Sequence, residues 1–260
     1  VSSHHESVKK TLWVALLLSL VCSILVAGSA VLLKSRQEVN KQQDRQKNIL
    51  LAAGLYNPQQ SIAEQFQQVE TKVVNLATGQ YVSIAKPETF DELAAAKDPK
   101  QSIGLTNEQD IARIKRRANY APVYLIKKDN RIETIILPVY GYGLWSIMYG
   151  YLALKGDGNT VTGITFYQQG ETAGLGAEIT NPKWQALWPG KEVYNAQHQP
   201  VIDLVKGNVT AATPSAEHKV DAISGATLTS NGVTNLLHFW LGQLGFGPYL
   251  ANLTSGKLSS

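Results

Sequence analysis

The segment Asp221-Ala222-Ile223-Ser224-Gly225-Ala226-Thr227-Leu228-Thr229-Ser230 is where residue types and spacing first point to chemistry. Hydroxyls at Ser224, Thr227, Thr229 and Ser230 run among small residues into the start of a helix. That helix is marked by Val233, Leu236, Leu237, Trp240, Leu241 and Leu244, which recur at helical spacing as one apolar stripe. A helix N-terminus presents unpaired N–H groups and partial positive charge. Gly225 and Ala226 let a phosphate approach the backbone closely, so the segment reads as a phosphate cradle with hydroxyls at hand. A plainer reading uses the same residues, with Thr229 or Ser230 capping the helix. Other chemistries find no support. The one cysteine, Cys22, rules out intrachain disulfides, thiolate zinc sites and iron–sulfur ligation. Of the histidines, His198, His218 and His238 show no metal-ligand spacing and His4 and His5 lie in the N-terminal tail, so no metal site is expected. No Gly-x-Gly-x-x-Gly follows a strand into a helix, so there is no nicotinamide fingerprint.

The elements that must position this segment read as α+β. Val123–Lys127, Arg131–Leu137, Ile147–Leu154 and Thr160–Tyr167 are rich in β-branched and aromatic residues. Turn signals such as Asp129-Asn130 and Gly156-Asp157-Gly158-Asn159 separate them, which gives an antiparallel meander with helices on its flanks. Upstream, the pattern predicts a short helix over Ser61–Val69, a strand over Thr71–Ala77, a helix opening at Pro87 and another over Asn107–Arg116. Downstream it predicts a helix over Asn181–Trp188, and the last helix ending at Gly245 and Gly247-Pro248.

Thr11–Leu33 carries no charge and at about 1.5 Å per residue reaches roughly 35 Å as a helix, enough to cross a hydrocarbon core of about 30 Å. A signal peptide is the alternative, with Lys9 and Lys10 before the apolar run and small residues at Ala27–Ala30. The polar residues from Lys34 to Leu55 read as a helix continuing from the span, stopped by Gly54 and Pro58. Orientation is open from local charge, because basic residues flank both ends. The chain of 260 residues is 44% hydrophobic and 17% charged with a net charge of +4, which argues against disorder and nucleic-acid binding. Basic residues gather at Arg113, Lys115, Arg116 and Arg117, either as a solvated helix end or as a docking patch for lipid headgroups or an acidic partner.

Asp221, Ser224, Gly225, Ala226 and Thr227 resemble the Asp-x-x-Ser-Gly-Ala-Thr motif read by periplasmic flavin transferases, which esterify FMN through its phosphate to the last Thr. Gly141-Tyr142-Gly143-Leu144-Trp145-Ser146 and Glu171-Thr172-Ala173-Gly174-Leu175-Gly176 resemble two further loops of such FMN-binding domains. Ala173 stands where many relatives have Pro. In order and extent the chain resembles the family of covalent FMN-binding subunits typified by the C subunit of the sodium-translocating NADH:quinone oxidoreductase. The G subunit of Rnf-type electron-transport complexes is the nearby alternative. The chain length, the region before residue 120 and the Leu144-Trp145-Ser146 continuation favour the first.

The resemblance implies four parts: a tail at 1–10, a transmembrane helix at 11–33, a helical linker and helix-rich subdomain at 34–120, and an FMN-binding domain at 121–260. It implies FMN esterified to Thr227, with Ser224, Gly225, Ala226 and Leu228 lining the phosphate and Asp221 read by the transferase. Trp145 and Leu175 would wall the isoalloxazine ring, while Tyr142, Glu171, Thr172, Gly174 and Gly176 would meet the ribityl chain or ring edge. Trp145 as a core residue, Glu171 as a surface carboxylate and Gly-Leu-Gly as a plain turn are the alternatives. The implied role is electron relay within the complex, NADH oxidation and quinone reduction lying in partner subunits. The implied location is the bacterial inner membrane with the C-terminal domain in the periplasm. A free-standing flavin reductase and a cofactor-free tethered binding module are the rival classes.

Overall fold

The computed structural model describes residues 8–258, so most of the expected tail, with His4 and His5, lies outside the described residues. Helix α1 runs over Val8–Ala52. Its first part, Val8–Lys34, is exposed throughout and is long and apolar enough to cross a membrane. It continues as a helix through the polar stretch and stops where Gly54 turns left-handed at φ 70°.

From Gln46 onward the chain is one compact unit. It begins with α2 (Ile62–Phe66), β1 (Val69–Asn75) and β2 (Gln80–Val82), then α3 (Glu92–Lys97), β3 (Ser102–Gly104) and β4 (Arg116–Ala118). The meander follows as β5 (Tyr120–Lys128), β6 (Arg131–Tyr142), β7 (Ile147–Lys155) and β8 (Val161–Gln168). The remainder is α4 (Pro182–Gln185), β9 (Asp203–Val205), β10 (Lys219–Asp221), α5 (Thr227–Leu241) and α6 (Gly247–Thr254).

The main sheet is antiparallel in the order β2-β1-β5-β6-β7-β8. It crosses the line drawn at residue 120, since β1 pairs with β5 from Val69–Ile126 to Asn75–Tyr120. Residues 34–120 therefore make no separate helix-rich subdomain. Both faces are covered, so the middle of β6 is buried on successive residues. Ile135, Leu137 and Val139 join the larger core with Val233, Leu236, Leu237 and Trp240 of α5. Ile136 faces the other way, onto Ile49, Leu50 and Ala52 at the end of α1. Helix α5 is thus held by an apolar stripe against the strand that ends beside the site. The Trp240 indole N–H also donates to the Tyr140 carbonyl at 2.7 Å.

Several expectations need correction. Asn107–Arg116 is not a helix but a series of turns leading into β4. The Asp110 carboxylate takes the N–H groups of Ile114 (2.7 Å) and Lys115 (2.8 Å), and Arg113 and Lys115 adopt positive φ. Such side-chain-to-backbone bonding competes with helix formation. Arg117 is buried at 3% exposure and donates to the Leu244 carbonyl, so the basic cluster is not one solvated helix end. Pro87–Thr89 forms only a single 3₁₀ turn, and Asp91 caps the true helix, α3, through the Leu93 and Ala94 N–H groups. The helix expected over Asn181–Trp188 is a single turn, and that over Ser61–Val69 is shorter because Val69 starts β1. Helix α5 ends at Leu241, capped by Gly242. Pro248 then starts α6 from its first turn, where a missing N–H costs nothing.

Trp240→Ala removes a side chain that is 1% exposed and leaves the Tyr140 carbonyl without its indole donor. The expected loss is about 3–5 kcal/mol of unfolding free energy. Urea unfolding of the purified chain in detergent, followed by circular dichroism, measures it.

Candidate functional site

Helix α5 opens at Thr227 with Ala226 as its N-cap and no side chain capping it. The first intrahelical bond of this turn runs from Ser230 N to the Ala226 carbonyl at 3.0 Å. The N–H groups of Thr227, Leu228 and Thr229 therefore belong to the free end of the helix. The four hydroxyls divide by direction. Thr229 and Ser230 are 1% and 2% exposed, whereas Ser224 and Thr227 are exposed. Ser230 Oγ accepts from Ile223 N and donates to the Ala226 carbonyl, each at 3.0 Å. Thr229 Oγ1 donates to Glu171 Oε2 at 2.6 Å. Residues two apart on a helix point about 200° from each other, so fixing Thr229 inward turns Thr227 outward. Neither Thr229 nor Ser230 caps the helix; both sit inside its first turn. Gly225 takes φ 73°, a conformation that glycine adopts without strain, and so lets the chain turn into the helix beneath Leu175.

Glu171 joins this turn to the rest of the site. Its carboxylate is buried and accepts from three successive N–H groups of the β6–β7 turn: Leu144 (3.2 Å), Trp145 (3.0 Å) and Ser146 (3.3 Å). Burial by itself would push the Glu171 carboxyl up. The Thr229 hydroxyl and the turn N–H groups outweigh it and hold the carboxyl below its ordinary value. Space here is full. A Cβ on Gly143 would lie 2.6 Å from Glu171 Oε1, one on Gly176 2.5 Å from Thr229 Oγ1, and one on Gly232 2.6 Å from the Tyr142 carbonyl oxygen.

Around this clamp the other expected residues separate into two groups. Trp145 is 64% exposed, Leu228 59% and Leu175 42%, so Trp145 is no core residue. All three project apolar surface from the segments that Glu171 draws together, next to exposed Thr227, Thr172 and Gly174. Tyr142 is half-buried and its hydroxyl donates to the Trp145 carbonyl at 3.1 Å. Glu171 is neither a surface carboxylate nor free to meet a ring edge, because its oxygens are taken up by the protein. Asp221 is also engaged: its Oδ1 accepts from Val209 N at 2.6 Å, and its carbonyl takes the Trp184 indole N–H at 2.9 Å. Sequence reasoning missed Arg113, whose guanidinium lies over the Tyr142 ring at 4.5 Å. It also missed the Glu171–Thr229 bond. The two residues lie 58 positions apart, and only the fold brings them together.

An antiparallel sheet thus brings its central turn, the loop that follows and the last long helix together around an outward-facing threonine. Residues 143–242 match the family model described as FMN-binding domain. The C subunit of the Na(+)-translocating NADH-quinone reductase of Pseudomonas aeruginosa is 51% identical over 98% of this chain and 99% of its own length. Its namesake from Pasteurella multocida is 52% identical, over 98% of both chains. The crystal structure of Shewanella oneidensis NqrC matches with a TM-score of 0.78 at 37% identity, over 84% of this chain and 99% of that one. The chain belongs to the family of Na(+)-translocating NADH-quinone reductase C subunits.

Because folding lowers the Glu171 pKa from its ordinary 4.5, its ionised form stabilises the fold fully above that value. This contribution fades as pH falls below 4.5 through the lower folded value. The difference in unfolding free energy between the wild type and Glu171→Gln should be steady above roughly pH 6 and shrink on acidification. A difference that grows towards acid pH would contradict this. Gly176→Ala, which drives a methyl into the Thr229–Glu171 contact, should cost about 1–3 kcal/mol by the same urea measurement.

Proposed function

We propose that this chain is the membrane-anchored, FMN-carrying electron-transfer subunit of a sodium-translocating NADH:quinone oxidoreductase, with the flavin joined to Thr227 Oγ1 by a phosphoester. One observation carries the attachment site. Of the two threonine hydroxyls in the uncapped first turn of α5, Thr229 is buried and hydrogen-bonded and Thr227 is exposed. The free N–H groups of that turn and the small residues Ser224, Gly225 and Ala226 suit a phosphate. Trp145, Leu175 and Leu228 supply the apolar surface a flat ring system needs, and Thr172, Gly174 and Gly176 lie in the loop beside it.

Bound there, FMN supplies a redox carrier able to take electrons from one neighbouring cofactor and give them to another. The protein holds the phosphate, orients the ring and limits its contact with water. The exposed hydroxyl also meets the geometric need of maturation by a flavin transferase, because an enzyme must reach Thr227 from outside. Asp221 contributes by fixing the Val209 segment beside the motif, so its part in transferase recognition runs through the shape of that surface. Helix α1 anchors the chain in the bacterial inner membrane, with the domain from Gln46 onward in the periplasm beside the other subunits.

Mass spectrometry of the tryptic peptide spanning Asp221 should find one FMN phosphoester on Thr227. Thr227→Ala should abolish the flavin fluorescence that stays with the protein band after denaturing electrophoresis. An unmodified wild-type peptide, made alongside the transferase, would overturn the assignment. An alkaline phosphatase fused to the C-terminus should be active in cells; a well-expressed, inactive fusion would contradict the periplasmic placement.

A further inference from the structure

The two parts of the site that would grip a flavin are both ends of elements, and each leaves backbone N–H groups that its own backbone does not pair. The β6–β7 ladder stops at Tyr142–Ile147, and the turn beyond it is closed on itself by one backbone bond, Gly143 N to the Ser146 carbonyl at 2.8 Å. The first turn of α5 has no cap. One carboxylate serves both: Glu171 Oε1 takes the turn N–H groups and Oε2 takes the Thr229 hydroxyl, with Leu144 N reaching both oxygens. We propose that Glu171 is the positioning residue of the flavin site, fixing Trp145 relative to Thr227 without touching the flavin itself. This rests on the reading of Thr227 as the attachment point.

Three features make the clamp stiff. Glu171 is 8% exposed and its oxygens are occupied by protein donors, so water does not compete freely for them. Hydrogen bonds to an ionised acceptor are about twice as strong as neutral ones. Gly143, Gly176 and Gly232 bring the three segments so close that no side chain fits between them. A second tether, from Gly170 N to Ser146 Oγ at 2.7 Å, keeps the 170–176 loop in step with the turn. Trp145 is therefore held through its backbone while its ring stays exposed, and Thr227 is turned outward because Thr229 is pinned inward. Glutamine at 171 is a graded test. Its oxygen still accepts from the turn, but its NH₂ faces the Leu144 N–H, the Thr229 hydroxyl can no longer donate to that position, and the charge is gone.

The test uses the full-length chain produced with a flavin transferase, as wild type, Glu171→Gln, Glu171→Ala, Thr229→Val and Thr229→Ser. The first readout is amide hydrogen exchange. Leu144, Trp145 and Ser146 should exchange faster by on the order of tenfold or more in Glu171→Ala, and by less in Glu171→Gln, with Leu152 and Leu154 of β7 unchanged. The second is the visible circular dichroism of the bound flavin together with flavin quenching of Trp145 emission. Both should weaken in Glu171→Ala and Thr229→Val and return in Thr229→Ser, which keeps the hydroxyl. Wild-type exchange at 144–146 in Glu171→Ala would overturn the proposal. So would unchanged flavin dichroism in Glu171→Ala and Thr229→Val. A wild-type chain without covalent flavin would defeat the attachment reading instead, and the exchange readout would still decide whether Glu171 holds the turn.

Discussion

Helix α5 lies so close to the end of β6 that the contact tolerates only glycine at several positions. A Cβ at Gly141 would sit 2.6 Å from Leu236 Cβ, and one at Gly232 would sit 2.6 Å from the Tyr142 carbonyl oxygen. The apolar stripe of α5 drives this approach by burying Val233, Leu236, Leu237 and Trp240 against the sheet. Its consequence appears one turn earlier along the helix. Thr229 is carried within reach of Glu171, and three segments far apart in sequence meet at one carboxylate. Core burial thereby sets the geometry of a polar site.

The exterior of that site is unusual in its composition. Folded chains bury large aromatic side chains where they can, yet Trp145 remains 64% exposed while its own backbone is fastened by Glu171 and by the Tyr142 hydroxyl. Leu175 and Leu228 are likewise exposed on segments that are otherwise well ordered by hydrogen bonds. Rigid backbone under exposed apolar side chains suits a preformed binding surface, because little conformational entropy is left to lose when a flat ligand settles on it. A covalent bond at Thr227 would complete that logic by removing dissociation altogether. In the proposed relay the carrier must stay at a constant place between neighbouring cofactors, and an anchoring helix and a phosphoester would serve that need at two scales.

Much of the architecture was legible in order along the chain. The four long strands of the meander, the apolar run before Lys34 and the stripe of α5 were all written in local periodicity. The failures were local as well. Asn107–Arg116 has helix-forming composition, but Asp110 uses its carboxylate to cap the backbone of Ile114 and Lys115, and the segment turns instead. The short strands β2, β3, β4, β9 and β10 carry too few residues for any period to show, and they exist because a neighbouring strand offers partners. The division near residue 120 failed because β1 pairs across it, a long-range contact that composition does not encode.

The sequence by itself determined the long strands, the apolar first helix and the striped α5, the exclusion of cysteine chemistry, and a hydroxyl-rich segment at the start of α5. Those properties depend on residue type and on spacing within one helix or strand, so they can be read without knowing what lies opposite. Only the tertiary structure decided which hydroxyl faces outward, that Trp145 is exposed, and that Glu171 is a clamp and not a surface charge. Direction and partnership are set by where α5 comes to rest on the sheet. That placement follows from burying a core assembled from the whole of the domain, which no single segment contains.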